Sequence, residues 1–515
     1  MHLLTRVGII RITRSMQLAV LLSSLALTTA CAPHGTAIQQ TPDVGPAQGP
    51  LRASTVNPRY FSDASGKIVY LAGSHTWSNF QDWGFSNPPP VFDYSGYLAF
   101  LHGHHLNFFR LWTFEQTEDE PWSKESIYFT PVPFLRTGPG NAIDGGLKFD
   151  LTRYDERYFT RLRERVKAAG DRGIYVSVML FDGEIGDKSP SPNIAKGNPW
   201  RNHPFNRANN VNSVDGDLNG DGQGWEIDTL EDPKVLALQK AYVAKVIDTV
   251  GDLDNVLYEV SNETTNQAAA WQHEIINFVH AYEKSKAKQH PVGMTSAYPD
   301  GNNADLWSSA ADWISPNDTP ADPYESDPPV ADGRKVIVSD TDHLWGIGGT
   351  YDWVWKSFTR GHNLLFMDPY KAMVPAGVPL IRDPNTDEKT QDPAARIEWE
   401  GVRRNLGYAR SFAERINLAA MIPRPDLAST RYCLANPGSE YLIYLPRPRR
   451  RYRFLRNAVT VDLTSVRSAM QVEWFRPESG EIFAGDVVQG GDKRELKAPF
   501  WGAAVLHLST NLIAH

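Results

Sequence analysis

Two stretches of the chain deliver acids at the ends of apolar runs. NVLYEVSNET (255–264) begins with Val256, Leu257, Tyr258 and Val260, all suited to a buried strand, and stops at Asn262 and Glu263. KVIVSDTDHLWG carries a β-branched run into Asp340, with Asp342 and His343 behind it. A lone acid after a strand is equally well a cap, because the N-terminus of the next helix welcomes negative charge. Two acids presented in the same way point to chemistry. Glycosidic cleavage needs such a pair, one carboxyl protonated to assist the leaving oxygen and one ionised to attack or to stabilise a cationic sugar.

Elements must exist that bring the two acids together. Eight strand-like runs occur near 68–73, 106–112, 174–181, 255–260, 291–296, 312–315, 335–340 and 363–367, most of them separated by helical patterns. DERYFTRLRERVKAAGDRG, for example, places Tyr158, Leu162 and Val166 on one helical face. Alternation of this kind is the signature of parallel crossover units, and eight units suggest a closed (β/α)8 barrel. An open doubly wound sheet is the alternative, although LAGSHTW lacks a glycine-rich phosphate fingerprint. After about residue 418 the grammar changes to short strands with turn signals such as Asn436-Pro437-Gly438, which reads as a small antiparallel β-sandwich. The expected organisation is a signal segment over 1–31, a flexible tether over 32–54, a catalytic barrel over 55–418 and the sandwich over 419–515.

In a parallel barrel the C-terminal strand ends form the active face. Asn262-Glu263 then stands on the fourth strand and Asp340 on the seventh, a pattern that resembles the clan A glycoside hydrolases. That resemblance implies Glu263 as acid/base, Asp340 as nucleophile and Arg110, in FFRLW, as the arginine kept beside the nucleophile. RYFSDASGKIVYLAGSHTWSNF resembles more narrowly the opening of the apiosidase-like group, glycoside hydrolase family 140 and its relatives, which also tends to carry a C-terminal sandwich. Clan A nucleophiles are nearly always Glu, whereas Asp340 is one methylene (~1.5 Å) shorter. That departure leaves Asp342 open as the working acid, and an inverting outcome open as well. His75, Trp77, Trp112, Asp182 and His343 are candidates to line a sugar site or to serve structure. Expected substrates are plant or bacterial polysaccharides or oligosaccharides.

A second pattern is independent of the first. DGDLNGDGQGWE sets Asp215, Asp217, Asn219, Asp221, Gln223 and Glu226 at positions 1, 3, 5, 7, 9 and 12 of a loop, with Gly220 at 6. Oxygen donors at that spacing suit Ca2+, here a structural ion stapling a long insertion. No catalytic cofactor is implied. His102, His104 and His105 precede the second strand, the wrong face for a metal-dependent barrel hydrolase.

The 52 basic and 60 acidic residues give a net charge of -8, which argues against a nucleic-acid partner. Arg6, Arg11 and Arg14 precede the apolar run MQLAVLLSSLALTTAC, too short for a comfortable membrane span. Its end resembles a lipoprotein cleavage box, which makes Cys31 the acylated residue and the lipid the membrane contact; a plain secretory signal is the alternative. Ala32 after it favours the outer membrane or periplasm of a Gram-negative cell. With Cys31 acylated, Cys433 has no disulfide partner, and a monomer is expected. The rival from another class is a glycan-binding surface lipoprotein whose barrel does not turn over. Cys31→Ser should leave the precursor unprocessed or release soluble protein, read by intact mass; a mature wild-type chain with a free amine at another residue would refute the anchor.

Overall fold

The computed structural model describes residues 36–37, 45–186, 197–299, 301–371, 398–448 and 456–511. Eight parallel strands close into a barrel: β1 (Ala72–His75), β2 (Phe108–Leu111), β3 (Tyr175–Phe181), β4 (Val256–Ser261), β5 (Val292–Thr295), β6 (Trp313–Ser315), β7 (Val336–Asp340) and β8 (Asn363–Met367). Seven of these strands lie where the apolar runs place them. The first is displaced: Ile68–Val69 pairs antiparallel with Phe61–Ser62, and the barrel strand starts at Ala72. The helices of the crossovers are α1 (Tyr94–Gly103), α2 (Glu156–Gly170), α3 (Pro233–Val250), α4 (Ala269–Glu283), α5 (Asn303–Ser308), α6 (Tyr351–Thr359) and α7 (Glu398–Arg415). Residues between β6 and β7 form loop and turn in place of a crossover helix.

Strand parity sorts the side chains. Phe109, Val176, Val178, Tyr258, Val260 and Ile337 face the helices in the main core. Their neighbours Phe108, Tyr175, Leu257, Trp313, Val338 and Leu365 fill the barrel interior as a separate apolar plug. Because the side-chain period is two, the next inward positions along the strands are Arg110, Ser177, Glu259, Ser315 and Asp340. A polar layer therefore sits directly above an apolar one, at the C-terminal end of the strands.

Residues 45–54, within the expected tether, are docked instead. Leu51 joins the interior plug, Ala47 N donates to Gly170 O, and Tyr175 donates to Gln48 O. A hairpin not evident in the sequence, Phe134–Asn141 with Leu147–Tyr154, follows β2. Cys31 and the rest of the expected signal segment lie outside the described residues. No helix among the described residues is long and apolar enough to cross a membrane.

The C-terminal part is an antiparallel sheet built on β9 (Cys433–Asn436), β10 (Glu440–Leu445), β12 (Ala469–Arg476), β13 (Glu481–Gln489) and β15 (Ala504–Ser509). A two-stranded ribbon, β11 (Ala458–Asp462) with β14 (Lys493–Lys497), covers one face. Leu442, Tyr444, Phe475 and Val505 pack on the other side with Trp355 of α6 and Phe412 of α7. Alternation along β10 explains this, since Tyr441, Ile443 and Leu445 turn to the ribbon.

Gly293 of β5 lies under the indole of Trp313, and a Cβ there would sit 2.0 Å from Trp313 Cε2. Trp313 is fully enclosed in the interior plug and cannot retreat. Gly293→Ala should cost about 1–3 kcal/mol or more by overpacking, read as a fall in the denaturant midpoint, whereas Gly103→Ala, with open space around it, should be tolerated.

Candidate active site

The inward polar layer is organised by Arg110. Its guanidinium, carried by β2, is buried and touches five side chains from the ends of two other strands, β4 and β7. Nη2 lies 2.7 Å from Glu259 Oε1 and 3.3 Å from Asp340 Oδ2, and it donates to His343 Nε2 at 2.8 Å. Nη1 donates to Asn262 Oδ1 at 3.1 Å and to Asp342 Oδ2 at 2.9 Å; Nε donates to Glu259 Oε2 at 3.2 Å. Ser177 Oγ completes the shell of Glu259 at 3.1 Å. The contact of both Glu259 oxygens with the guanidinium, one of them a hydrogen bond, helps to fix the plane of the fork.

Donor chemistry assigns the protons on both histidines. Trp112 Nε1–H is a donor only and reaches His75 Nδ1 at 2.8 Å, so Nδ1 accepts and the proton sits on Nε2. His75 Nε2–H then donates to Asp340 Oδ1 at 3.0 Å. A guanidinium likewise only donates, so His343 Nε2 accepts from Arg110 and Nδ1–H donates to Ser315 Oγ at 2.7 Å. Burial first, and Arg110 second, lower the His343 pKa to about 3, which keeps this ring neutral.

Three carboxyls share one guanidinium, so they cannot behave alike. Burial alone would raise the Asp340 carboxyl, but His75 and Arg110 outweigh it and hold Asp340 well below the usual carboxylate range. Burial raises Glu259 against the pull of Arg110, and burial with the Asp340 charge raises Asp342. The cluster thus resolves into one firmly ionised acid and two whose protons are held more tightly.

The other expected residues fall around this hub. Asn262 is buried, and its N–H donates to Phe181 O at 3.2 Å. Glu263 is half-buried beside Tyr298, whose hydroxyl is raised first by burial and then by the charges of Glu263 and Glu184. Trp112 stacks on His75 at 5.7 Å, and Trp77 clusters with Trp83 and half-buried Trp122, at 5.4 and 4.9 Å, those two being 6.3 Å apart. Asp182 belongs to a separate buried group, accepting from Gln116 Nε2 at 3.1 Å while its own N–H donates to Glu115. His104 and His105 pair with Glu400 and Glu414 of α7, away from the hub. Glu259 was not evident as a site residue, although a lone carboxylate inside an apolar strand run implies a buried partner.

The expected calcium loop turns about Asp217. Its Oδ1 accepts from the N–H of Gly220 and Asp221, and its Oδ2 from that of Gly222. Asn219 Nδ2 donates to Asp221 Oδ2 at 3.1 Å and to Glu226 Oε1 at 2.7 Å. Asp217, Asn219, Asp221 and Glu226 therefore face one another, while Asp215 makes only a 3.4 Å contact with Asp217 N. Both Gly220 and Gly222 are left-handed, with φ of 74° and 79°, as the tight turn requires. Among the described residues no three His, Cys, Asp or Glu side chains converge as a ready-made metal centre.

A family model described as a domain of unknown function (DUF6298) matches residues 117–306. No curated protein matches the chain. Among solved structures, a glycoside hydrolase aligns with a TM-score of 0.53 at 10% identity, covering 90% of this chain and 97% of that one. A family 5 glycoside hydrolase from Bacteroides vulgatus aligns with a TM-score of 0.51 at 11% identity, covering 90% and 93%. At these identities the likeness establishes the fold, a TIM barrel followed by an antiparallel sheet.

Arg110→Met should leave Glu259, Asp340 and Asp342 without their shared counter-charge. The expected loss is about 3–5 kcal/mol, the range for removing one partner of a buried ion pair. Urea denaturation measures it, and a change under 1 kcal/mol would show that the acids simply take up protons.

Proposed function

We propose that the protein is a glycoside hydrolase, with Glu263 as general acid/base and the second carboxyl supplied by the acids at the end of β7. The carrying observation is the span of Arg110: one guanidinium nitrogen holds both Asn262, at the end of β4, and Asp342, beyond the end of β7. Glu263 follows Asn262 directly, so the two strand ends that carry acids are tied to one hub at the barrel mouth. With Asn262 Oδ1 committed to Arg110, its amide N–H2 is left to orient a sugar hydroxyl. Half-buried Trp122, backed by the buried rings of Trp77 and Trp83, supplies an apolar face for sugar C–H surfaces. The solved glycoside hydrolases of like fold support the reading through architecture.

A half-buried Glu263 can exchange protons with the cleft, as an acid/base must. In a retaining cycle it gives a proton to the leaving oxygen and later takes one from water. We further propose that Asp217, Asn219, Asp221 and Glu226 bind Ca2+, with Asn219 turning its amide oxygen inward. Such oxygen donors suit a hard cation, and burial with the charges of Asp221 and Asp217 raises the Glu226 carboxyl, a crowding that a cation would relieve.

Purified protein should hydrolyse members of an aryl-glycoside and polysaccharide panel. Glu263→Ala should lower kcat/KM by about 10²–10⁴ on poor leaving groups and least on dinitrophenyl glycosides, which need no protonation. Glycan binding without turnover by the wild type would refute the enzyme. Chelation should lower the melting temperature of the wild type, because an ion bound only by the native state stabilises it, and Asp217→Ala should abolish that response. Equal melts with and without chelator, in protein verified metal-free, would refute the ion.

A further inference from the structure

The two acids at the end of β7 differ in what a substrate can reach. Asp340 is 1% exposed, and both its oxygens are covered. Oδ1 accepts from His75 Nε2 and from the backbone N–H of Asp342, each at 3.0 Å. Oδ2 is buried beneath the Arg110 guanidinium. Asp342 keeps only Oδ2 on Arg110, and its side chain is 13% exposed. Its Oδ1 takes no hydrogen bond from the described residues.

Attack on an anomeric carbon needs an oxygen about 3–3.5 Å away with a lone pair on the cleft side. A sugar could reach Asp340 only by displacing His75 or Arg110, each of which is packed and bonded in place. On the glycosidase reading above, we propose that Asp342 is the carboxylate that attacks the sugar, and that Asp340 is a positioning residue acting through it.

Five contacts show how the positioning works. Asp340 Oδ1 receives the Asp342 N–H, which bends the chain as it leaves the strand. Thr341, between the two acids, is pinned to β8: its N–H donates to Leu365 O at 3.0 Å, and Met367 N donates to its Oγ1 at 2.8 Å. His343, on the other side, is fastened to Ser315 and Arg110. Both neighbours of Asp342 are therefore immobilised, and Arg110 holds its carboxylate by one oxygen, leaving Oδ1 without a hydrogen bond among the described residues. The extra two residues of backbone replace the reach that a short Asp at the strand end lacks.

Asp342 Oδ1 forms a bond to the anomeric carbon as the glycosidic C–O bond breaks, and the leaving oxygen takes the proton of Glu263. Water then gives a proton to the Glu263 carboxylate, bonds to the anomeric carbon and displaces Asp342, restoring both acids.

The direct test uses the 2,4-dinitrophenyl 2-deoxy-2-fluoroglycoside of whichever sugar the wild type cleaves fastest, followed by peptide mapping of the trapped ester. The expected adduct is on Asp342. An adduct on Asp340, or hydrolysis with inversion and no adduct, overturns the assignment while leaving the glycosidase reading intact. A wild type inert on every glycoside overturns that reading instead. Asp342→Gly should lose about a thousandfold or more in kcat, and sodium azide should restore turnover with formation of a glycosyl azide. Asp340→Gly should gain nothing from azide. Asp340→Asn supplies a readout that mere loosening would not move. Asp342 is faced by Arg110 and His75 from β2 and β1, and by Asp340 and His343 from its own segment. Removing the Asp340 charge takes away a neighbour that raises Asp342. The acid limb of kcat/KM should then shift to lower pH; a fall in amplitude with no shift overturns the positioning role.

Discussion

Everything at the barrel mouth depends on one buried guanidinium. Arg110 sits at the first inward position above the apolar plug, where water cannot solvate it, so its charge must be met by the protein. Glu259 meets it from β4 in a two-oxygen grip, and Asp340 and Asp342 meet it from β7. Because the fork is planar and its donors point in fixed directions, satisfying it also fixes the relative placement of three strand ends. The ion cluster is thus a geometric device more than a source of stability, since desolvation consumes much of the Coulombic gain of buried pairs.

The layer beneath explains why the cluster can exist. Phe108, Leu257, Trp313 and Val338 exclude water from the interior of the barrel, and the low polarity this creates strengthens each hydrogen bond above it. Gly293 makes room for the Trp313 indole. A two-residue step up β2, β3, β4, β6 and β7 then converts an apolar layer into the polar one, so the alternation that builds the sheet also lays out the site. The neutral His343 follows from the same surroundings: its Nε2 faces the obligate donor Arg110, so a second proton there would cost that bond.

Much of this was legible in the sequence. Seven of eight barrel strands stood out as apolar runs, because a strand buried on both faces has no polar alternation to blur it. The choice of Asn262 and Asp340 followed from strand ends, and that of Arg110 from the family resemblance of FFRLW. The first strand was misplaced because Ile68 and Val69 are β-branched yet belong to a short outer ladder, while the true strand AGSH has no such signal. The docked segment 45–54 was hidden by its Pro, Gly and Gln content, which signals a linker by composition and says nothing of single anchors such as Leu51. Glu259 was overlooked because its partner, Arg110, is 149 residues away. The loop from Asp215 to Glu226 shows its oxygen donors in the sequence, but that its turn is built on N–H bonds to Asp217 is visible only in the fold.

The same distinction separates Asp340 from Asp342. Parity carries information up to the last paired residue of a strand and no further. Val336, Val338 and Asp340 alternate inward by the geometry of the sheet, which assigns Asp340 to the mouth on sequence alone. Beyond it the chain leaves the ladder, and the direction of Asp342 is set by tertiary bonds: the N–H captured by Asp340, the two links of Thr341 to β8, and the hold of Ser315 on His343. A strand-end acid that is easy to find in a sequence is for that reason the more deeply packed one. The acid two residues later keeps some exposure because it has left the packing that would identify it, so accessibility and legibility in the sequence run in opposite directions here.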